Sequence, residues 1–416
     1  MIKSKLSYNL ILLWLLVWPW NTKFIIAPAA TNYLEIAFYL SSLFLLIPLT
    51  ETIIGLIKNF RSREQKTQIR PLWWWGSLII FIVAALSLIW APNQPLAAVR
   101  ADYLIAGLLV FIGIKQSPPF FRRRAGRVFL LGLIAPTFLG IGQFIFQFAP
   151  ASKLFGLAAH YPADLGVSVI ETGAGRFLRA YGSFDHPNIF GGLMALASLL
   201  AFYWGLKETN KKIKFFIFAS GLLFSVGLLV SFSRSAFLAF ALGFLALTLS
   251  QRKIIWQRGK SFLIGGAILL TLFIALCSPL LLVRTNPESR LEVKSLTERR
   301  LFKEQAQQII KQRPVRGVGL GGYIPTLMLV NPSLEPWNYQ PVHNYWLLVW
   351  AELGIFGLFG FIIFWLGILQ GALKNKLWPF WVVLFGLSFF DHWLFSQPVV
   401  PLVIFFVFGL ISTLEY

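Results

Sequence analysis

Apolar residues fall in long, nearly unbroken runs separated by short polar stretches, and this pattern sets the reading of the chain. A run of about twenty apolar residues is the length of a bilayer-spanning helix, in which each backbone N–H and C=O is satisfied within its own segment. Twelve such spans are predicted, over residues 6–20, 33–57, 72–90, 96–114, 128–148, 188–206, 215–230, 236–249, 261–283, 345–369, 377–395 and 399–414. The short alternating strands of a transmembrane barrel are absent from the pattern. Two polar stretches interrupt it, residues 149–187 and the longer insertion 284–343.

Within the insertion, Ser295 and Glu298 have capping-box spacing, and Phe302, Ala306, Ile309 and Ile310 recur at helical spacing before Pro314. An amphipathic helix near 296–313 follows. Its polar face carries Arg300, Lys303, Gln307 and Lys311, which suits a helix lying on lipid headgroups. Next comes Gly317-Val318-Gly319-Leu320-Gly321-Gly322. Neither a βαβ unit nor a following helix is in evidence, so these glycines read as close backbone packing rather than a dinucleotide fingerprint.

Composition agrees with the pattern. The 416 residues are 57% hydrophobic and 13% charged, against roughly a quarter charged in soluble domains, and residues 1–416 read as one all-α, polytopic membrane domain. The net charge of +21 would suit nucleic acid, but the basic residues lie in clusters between spans. Such clusters encode topology, so anionic headgroups are the expected neighbours and no nucleic acid is. The segments assigned to the cytoplasm hold 22 of the 37 Lys and Arg. Both termini are then cytoplasmic, and the insertion faces outward, since long loops translocate largely regardless of charge. Lys3 and Lys5 precede the first span, and Ala27-Pro28-Ala29 resembles a signal-peptidase site. Trp18, Pro19, Trp20 and Lys23 interrupt the path to it and favour a retained helix. Cys277 is the single cysteine, which rules out an intrachain disulfide.

Candidate chemistry gathers on the predicted outer face. Arg176, Arg179, Gly182, Ser183, Phe184, Asp185, His186, Pro187 and Asn188 lead into the sixth span, and Arg234 sits in a turn too short to leave the membrane surface. Arg100 lies near the outer start of the fourth, where pairing with Asp102 or snorkelling is the plain alternative. Guanidinium groups converging from several spans suit the oxygens of a diphosphate. His343 supplies a side chain able to accept a proton near neutral pH. A histidine before a span is by itself commonly structural, and its place beside a basic site is what favours chemistry. His160 lies in a loop, His186 orients the Pro187 turn, and His392 pairs with Asp391. None has zinc-ligand spacing, and the outer loops lack a paired Asp motif for magnesium, so chemistry without metal or other cofactor is expected.

Four places carry a resemblance: Arg179-Ala180-Tyr181-Gly182-Ser183-Phe184 with Pro187-Asn188; Ser231-Phe232-Ser233-Arg234-Ser235; Arg299 through Pro314-Val315-Arg316-Gly317-Val318-Gly319; and His343-Asn344 followed by Glu352-Leu353-Gly354-Ile355-Phe356-Gly357. In this order the chain is similar to the O-antigen ligase and polymerase superfamily of bacterial membrane glycosyltransferases over residues 176–357, while the first 150 residues agree only in hydropathy. The resemblance implies a GT-C-like fold in the inner membrane. It also implies transfer of a glycan from a polyprenyl (undecaprenyl) diphosphate carrier to a hydroxyl of lipid A-core or of a growing polysaccharide, on the outer leaflet. The family histidine matches His343, and the family arginines match Arg234 and either Arg176 or Arg179, with the same choice between Arg299 and Arg300. Arg100, His186, Asn188 and Asn344 complete the expected substrate-binding set. Two other classes stay open: a solute transporter using Arg100, Asp102, Glu35, Glu51 and Asp391 as a buried path, and a non-catalytic protein of envelope assembly.

Overall fold

The protein is described by a computed structural model over residues 4–29, 31, 33–61, 70–335 and 338–413; Lys3 and most of the predicted basic loop at 58–70 lie outside the described residues. Helix α1 (Lys5–Val17) leads into an antiparallel hairpin of β1 (Lys23–Ala27) and β2 (Ile36–Tyr39), followed by a 3-10 turn and α2 (Leu46–Arg61). Then come α3 (Leu72–Ser87), α4 (Gln94–Lys115) and α5 (Pro119–Phe146). A second hairpin, β3 (Val169–Thr172) with β4 (Gly175–Leu178), precedes α6 (Pro187–Lys207), α7 (Lys211–Ser231), α8 (Arg234–Arg258) and α9 (Lys260–Thr285). The insertion holds α10 (Arg290–Gln312) and α11 (Tyr323–Val330). The chain closes with α12 (Tyr345–Lys374), α13 (Trp378–Phe390), α14 (Trp393–Ser396) and α15 (Val400–Ile411).

Among the described residues, eight helices are long and apolar enough to cross a membrane. The other four predicted spans coincide with the shorter apolar helices α1, α3, α13 and α15. Several boundaries differ from the sequence reading. Residues 33–39, predicted as the start of a helix, include strand β2, whose partner β1 places apolar Phe24 and Ile26 on the surface. The basic loop predicted at 115–127 is mostly helix: Arg122, Arg123, Arg124 and Arg127 ride on the first turns of α5, and Pro119, with no N–H to lose, occupies its N-terminal turn. The eleventh predicted span breaks at Asp391 and His392, between α13 and α14. Hydropathy carries straight across that break, since Trp393, Leu394 and Phe395 resume the apolar run.

Helix α6 is apolar on every side, and residues 187–206 are all buried, as expected of a helix enclosed by other helices. It packs against α5, α7, α8 and α13, while α12 packs on α3 and α15 on α4. The amphipathic helix of the insertion begins at Arg290 rather than 296, so Ser295 is inside it and does not cap it. Nor does its apolar face lie on headgroups. Ala306, Ile309 and Ile310 form a small core with Val318, Tyr323, Ile324, Leu327, Leu348 and Ala351, which docks the insertion onto α11 and α12.

The glycine-rich turn does serve close backbone packing. Val318 N–H donates to Ala351 C=O, Gly319 N–H to Glu352 C=O and Ile355 N–H to Pro314 C=O, at 2.9, 2.9 and 3.0 Å. These bonds form because α12 breaks at Gly354 (φ 68°, ψ −171°), a conformation open essentially to glycine alone. A Cβ there would stand 2.0 Å from Val315 C=O, and one on Gly317 2.4 Å from Glu352 C=O. Gly354→Ala should therefore cost roughly 1–3 kcal/mol of stability. Thermal unfolding in detergent checks this, and an unchanged melting temperature would contradict the docking of the turn on α12.

Candidate active site

His343 stands just before α12, between buried Val342 and Asn344, the N-cap residue of that helix. Its Nδ1 lies 3.4 Å from Asp391 Oδ1, and its ring neighbours those of Phe302 and His392, at 5.9 and 5.2 Å between centroids. Asp391 is buried, and a buried carboxylate needs partners for its oxygens. Oδ1 also accepts the His392 backbone N–H at 2.9 Å, and Oδ2 accepts Asn188 Nδ2 at 3.1 Å. Asn188 Oδ1 in turn accepts Arg179 Nη2 at 2.9 Å, and Arg179 Nε donates to Ser231 C=O at 2.9 Å. One continuous chain thus links Arg179, Asn188, Asp391 and His343. Asp391 is the member that sequence reasoning placed only on a transport path or beside His392; a single Asp-His pair inside an otherwise apolar run was the signal available.

Around Arg179 other guanidinium groups collect. Arg234, first residue of α8, lies 2.6 Å from Glu292 Oε2 with Nη2, and Arg284, at the end of α9, donates to the same carboxylate. Glu292 comes from the first turn of α10 and is buried. Arg234 and Arg284 both act electrostatically on Arg179, and Arg299 acts on Arg284. Burial, and after it the Arg284 charge, push the Arg179 pKa well down from the usual guanidinium value. Two guanidinium groups on one carboxylate, with Arg179 near enough to feel all three charges, form a charge excess that an anionic ligand would relieve. Arg234 keeps 39% of its side chain exposed, which leaves that side open.

The structure separates the paired candidates. Arg176 points away, donating to Ala163 and Asp164 C=O at 2.8 and 3.2 Å, and Arg300 is exposed and pairs with Glu304 at 3.0 Å. Arg179 is therefore the member of its pair that joins the cluster, and of the second pair the Arg299 charge acts on Arg284. Asn344 is used structurally: Oδ1 accepts Leu347 N–H at 2.9 Å and Nδ2 donates to Phe389 C=O at 3.1 Å. Arg100 belongs elsewhere. Its guanidinium donates to Ser396 and Tyr33 C=O, not to Asp102, and it lines a cavity together with Glu352, Tyr345, Phe361, Trp365 and Phe405. His160 stacks on Tyr181 at 4.2 Å. His392 meets Asp391 through its backbone, while its side chain Nε2 stays 3.9 Å from Oδ1.

No linear spacing suggested metal ligands, but folding brings three together: the ligand atoms of His343, Asp391 and His392 all lie within 4.8 Å of one another. They come from segments on either side of two helices, which is why a scan for spaced motifs passes over them.

These features define a polytopic helical membrane protein with a histidine-carboxylate pair beside clustered guanidinium groups. Residues 219–362 match the family model described as O-antigen ligase, which supports membership of the O-antigen ligase and polymerase superfamily and activity of that general type. No curated protein matches the chain. The matched region includes Arg234, Arg284, Glu292, Arg299 and His343; Arg179, Asn188 and Asp391 complete the geometry from outside it.

His186 proves to be a capping group. Its Nδ1 accepts Asn188 N–H at 3.0 Å, which puts the ring proton on Nε2, 3.0 Å from Ser168 Oγ. Burial of the ring, and then the Arg179 charge, push its pKa from 6.5 down to about 3. As pH falls below about 6.5 the unfolded chain takes up a proton that the folded chain refuses, so the contribution of His186 is complete above that pH and is lost towards pH 3. His186→Asn keeps an N-cap acceptor. It should lose less melting temperature than wild type between pH 7 and pH 5, and parallel profiles would contradict the neutral capping role.

Proposed function

We propose that the protein is a ligase-like or polymerase-like glycosyltransferase, moving a glycan from a polyprenyl (undecaprenyl) diphosphate carrier to a hydroxyl of lipid A-core or of a growing polysaccharide. The observation that carries this reading is the connected set Arg179, Asn188, Asp391 and His343 beside Arg234 and Arg284. A proton acceptor and an anion-binding cluster are what displacement of a diphosphate by an alcohol requires.

In this mechanism Asp391 accepts the Nδ1–H of His343, fixing the tautomer in which Nε2 carries the lone pair. Nε2 takes the acceptor's hydroxyl proton while the oxygen bonds to the anomeric carbon. The bond from that carbon to the carrier oxygen breaks, and the diphosphate leaves with its negative charge against Arg234, Arg284 and Arg179. Glu292 holds Arg234 and Arg284 in place before substrate arrives and shares them afterwards. A single displacement inverts the anomeric configuration. No step calls for a metal or a nucleotide sugar. The site faces the periplasm or exterior of a bacterial inner membrane, with both termini in the cytoplasm, as the distribution of basic residues supports.

The test is transfer from a polyprenyl diphosphate glycan to an acceptor by the reconstituted protein. His343→Ala should lower the rate by about 10²–10⁴-fold while leaving carrier binding intact; undiminished turnover would remove His343 as the base. Arg234→Lys keeps the charge but not the planar fork, and should lose transfer by about tenfold or more. Solute flux in liposomes without any glycosyl transfer would favour a transporter instead.

A further inference from the structure

We infer that His343, Asp391 and His392 form a binding site for a divalent transition-metal cation of the Zn²⁺ class, and that its occupancy shuts off transfer. The second half rests on the proposed function; the first does not.

The ligand geometry is close to what such a cation needs. Bonds of 2.0–2.1 Å in a tetrahedral site set neighbouring ligand atoms roughly 3.3 Å apart. Asp391 Oδ1 already lies 3.4 Å from His343 Nδ1 and 3.9 Å from His392 Nε2, and all three ligand atoms fall within 4.8 Å. Modest rotation of the two rings closes the set.

The surroundings are those of a built site. His392 Nδ1 lies 2.6 Å from Ser396 Oγ, and donation to that hydroxyl leaves Nε2 with its lone pair towards Asp391. Asn188 Nδ2 holds the second carboxylate oxygen at 3.1 Å and so fixes the carboxylate, while Oδ1, which also accepts the His392 backbone N–H at 2.9 Å, is the oxygen nearest both imidazoles. Asp391 and His392 are buried, whereas the His343 side chain is 21% exposed, which provides an entry path and an open fourth position for water. Two imidazoles and one carboxylate suit zinc-like cations; magnesium and calcium, which take oxygen ligands in larger number, are poorly served. Among the described residues this is the cluster of three such groups that the fold assembles.

Metal binding and catalysis then compete for one ring. A cation on His343 Nδ1 displaces the proton from that nitrogen, and a neutral ring must carry its N–H on Nε2. The lone pair that would accept the acceptor's proton is gone. The cation also takes Asp391 Oδ1, the atom that otherwise orients the ring. The metal is thus an inhibitor at this site and takes no part in the reaction.

The full-length protein in detergent, treated with chelator and titrated with ZnCl₂ by equilibrium dialysis, should bind one Zn²⁺ per chain, with X-ray absorption showing two imidazoles and oxygen in its shell. His392→Gln should weaken binding at least tenfold, and MgCl₂ should not compete. His343→Gln, at a position open to solvent on one side, provides the second test should His392→Gln fail to fold. Transfer should fall over the same zinc range that fills the site and return with chelator. No binding, or binding unchanged in these variants, would overturn the site. Bound zinc with undiminished transfer would overturn the inhibition. If metal-free protein shows no transfer at all, the functional reading fails while dialysis still decides the site.

Discussion

A carboxylate placed inside an apolar bundle has to be matched by donors, and Asp391 is matched from three directions. His343 approaches from the entrance to α12, Asn188 from the first turn of α6, and the His392 backbone from the break after α13. Each of those segments is held by its own packing, above all α6, which is enclosed along its whole length. Losing one partner would leave charge or dipole buried without compensation, a penalty of several kcal/mol for an ion (about 3–5). The position of His343 is therefore a consequence of how α6, α12 and α13 are assembled.

The same logic extends outward to the insertion. Its apolar stripe is spent on a core shared with α11 and α12, and the break at Gly354 accepts the glycine-rich turn. Helix α10 is consequently fixed against the bundle, and its first turn brings Glu292 to Arg234 and Arg284. Bidentate contacts of 2.8 Å between Arg290 and Glu171 join that end to the β3–β4 hairpin. A polar segment in a membrane-like chain thus behaves as scaffold, and the charge it carries is presented at a defined place.

Much of the helical layout was legible in the sequence because a run of apolar residues is hard to read otherwise. Breaks inside such runs were not: residues 377–395 stay apolar on both sides of Asp391, and only the polar pair itself marks the interruption. The strands were hidden in the same way, since β1 and β2 are as apolar as the helices beside them. The choice between neighbouring arginines was more readable than it looked. Arg176 and Arg179, three apart on extended chain, face opposite ways, and Arg299 lies one turn before buried Phe302, on the face that Arg300 leaves. The contact of His343 with Asp391 joins residues 48 apart in sequence. No local pattern announces a pairing of that kind.

The central claim is that the guanidinium cluster and His343 serve one reacting centre. An electron cryo-microscopy map of the protein with a bound polyprenyl diphosphate tests it most directly. The account predicts diphosphate density contacting at least two of Arg179, Arg234 and Arg284, on the side to which His343 is exposed. Diphosphate seated in the cavity beside Arg100 and Glu352, or on Arg176, would contradict it.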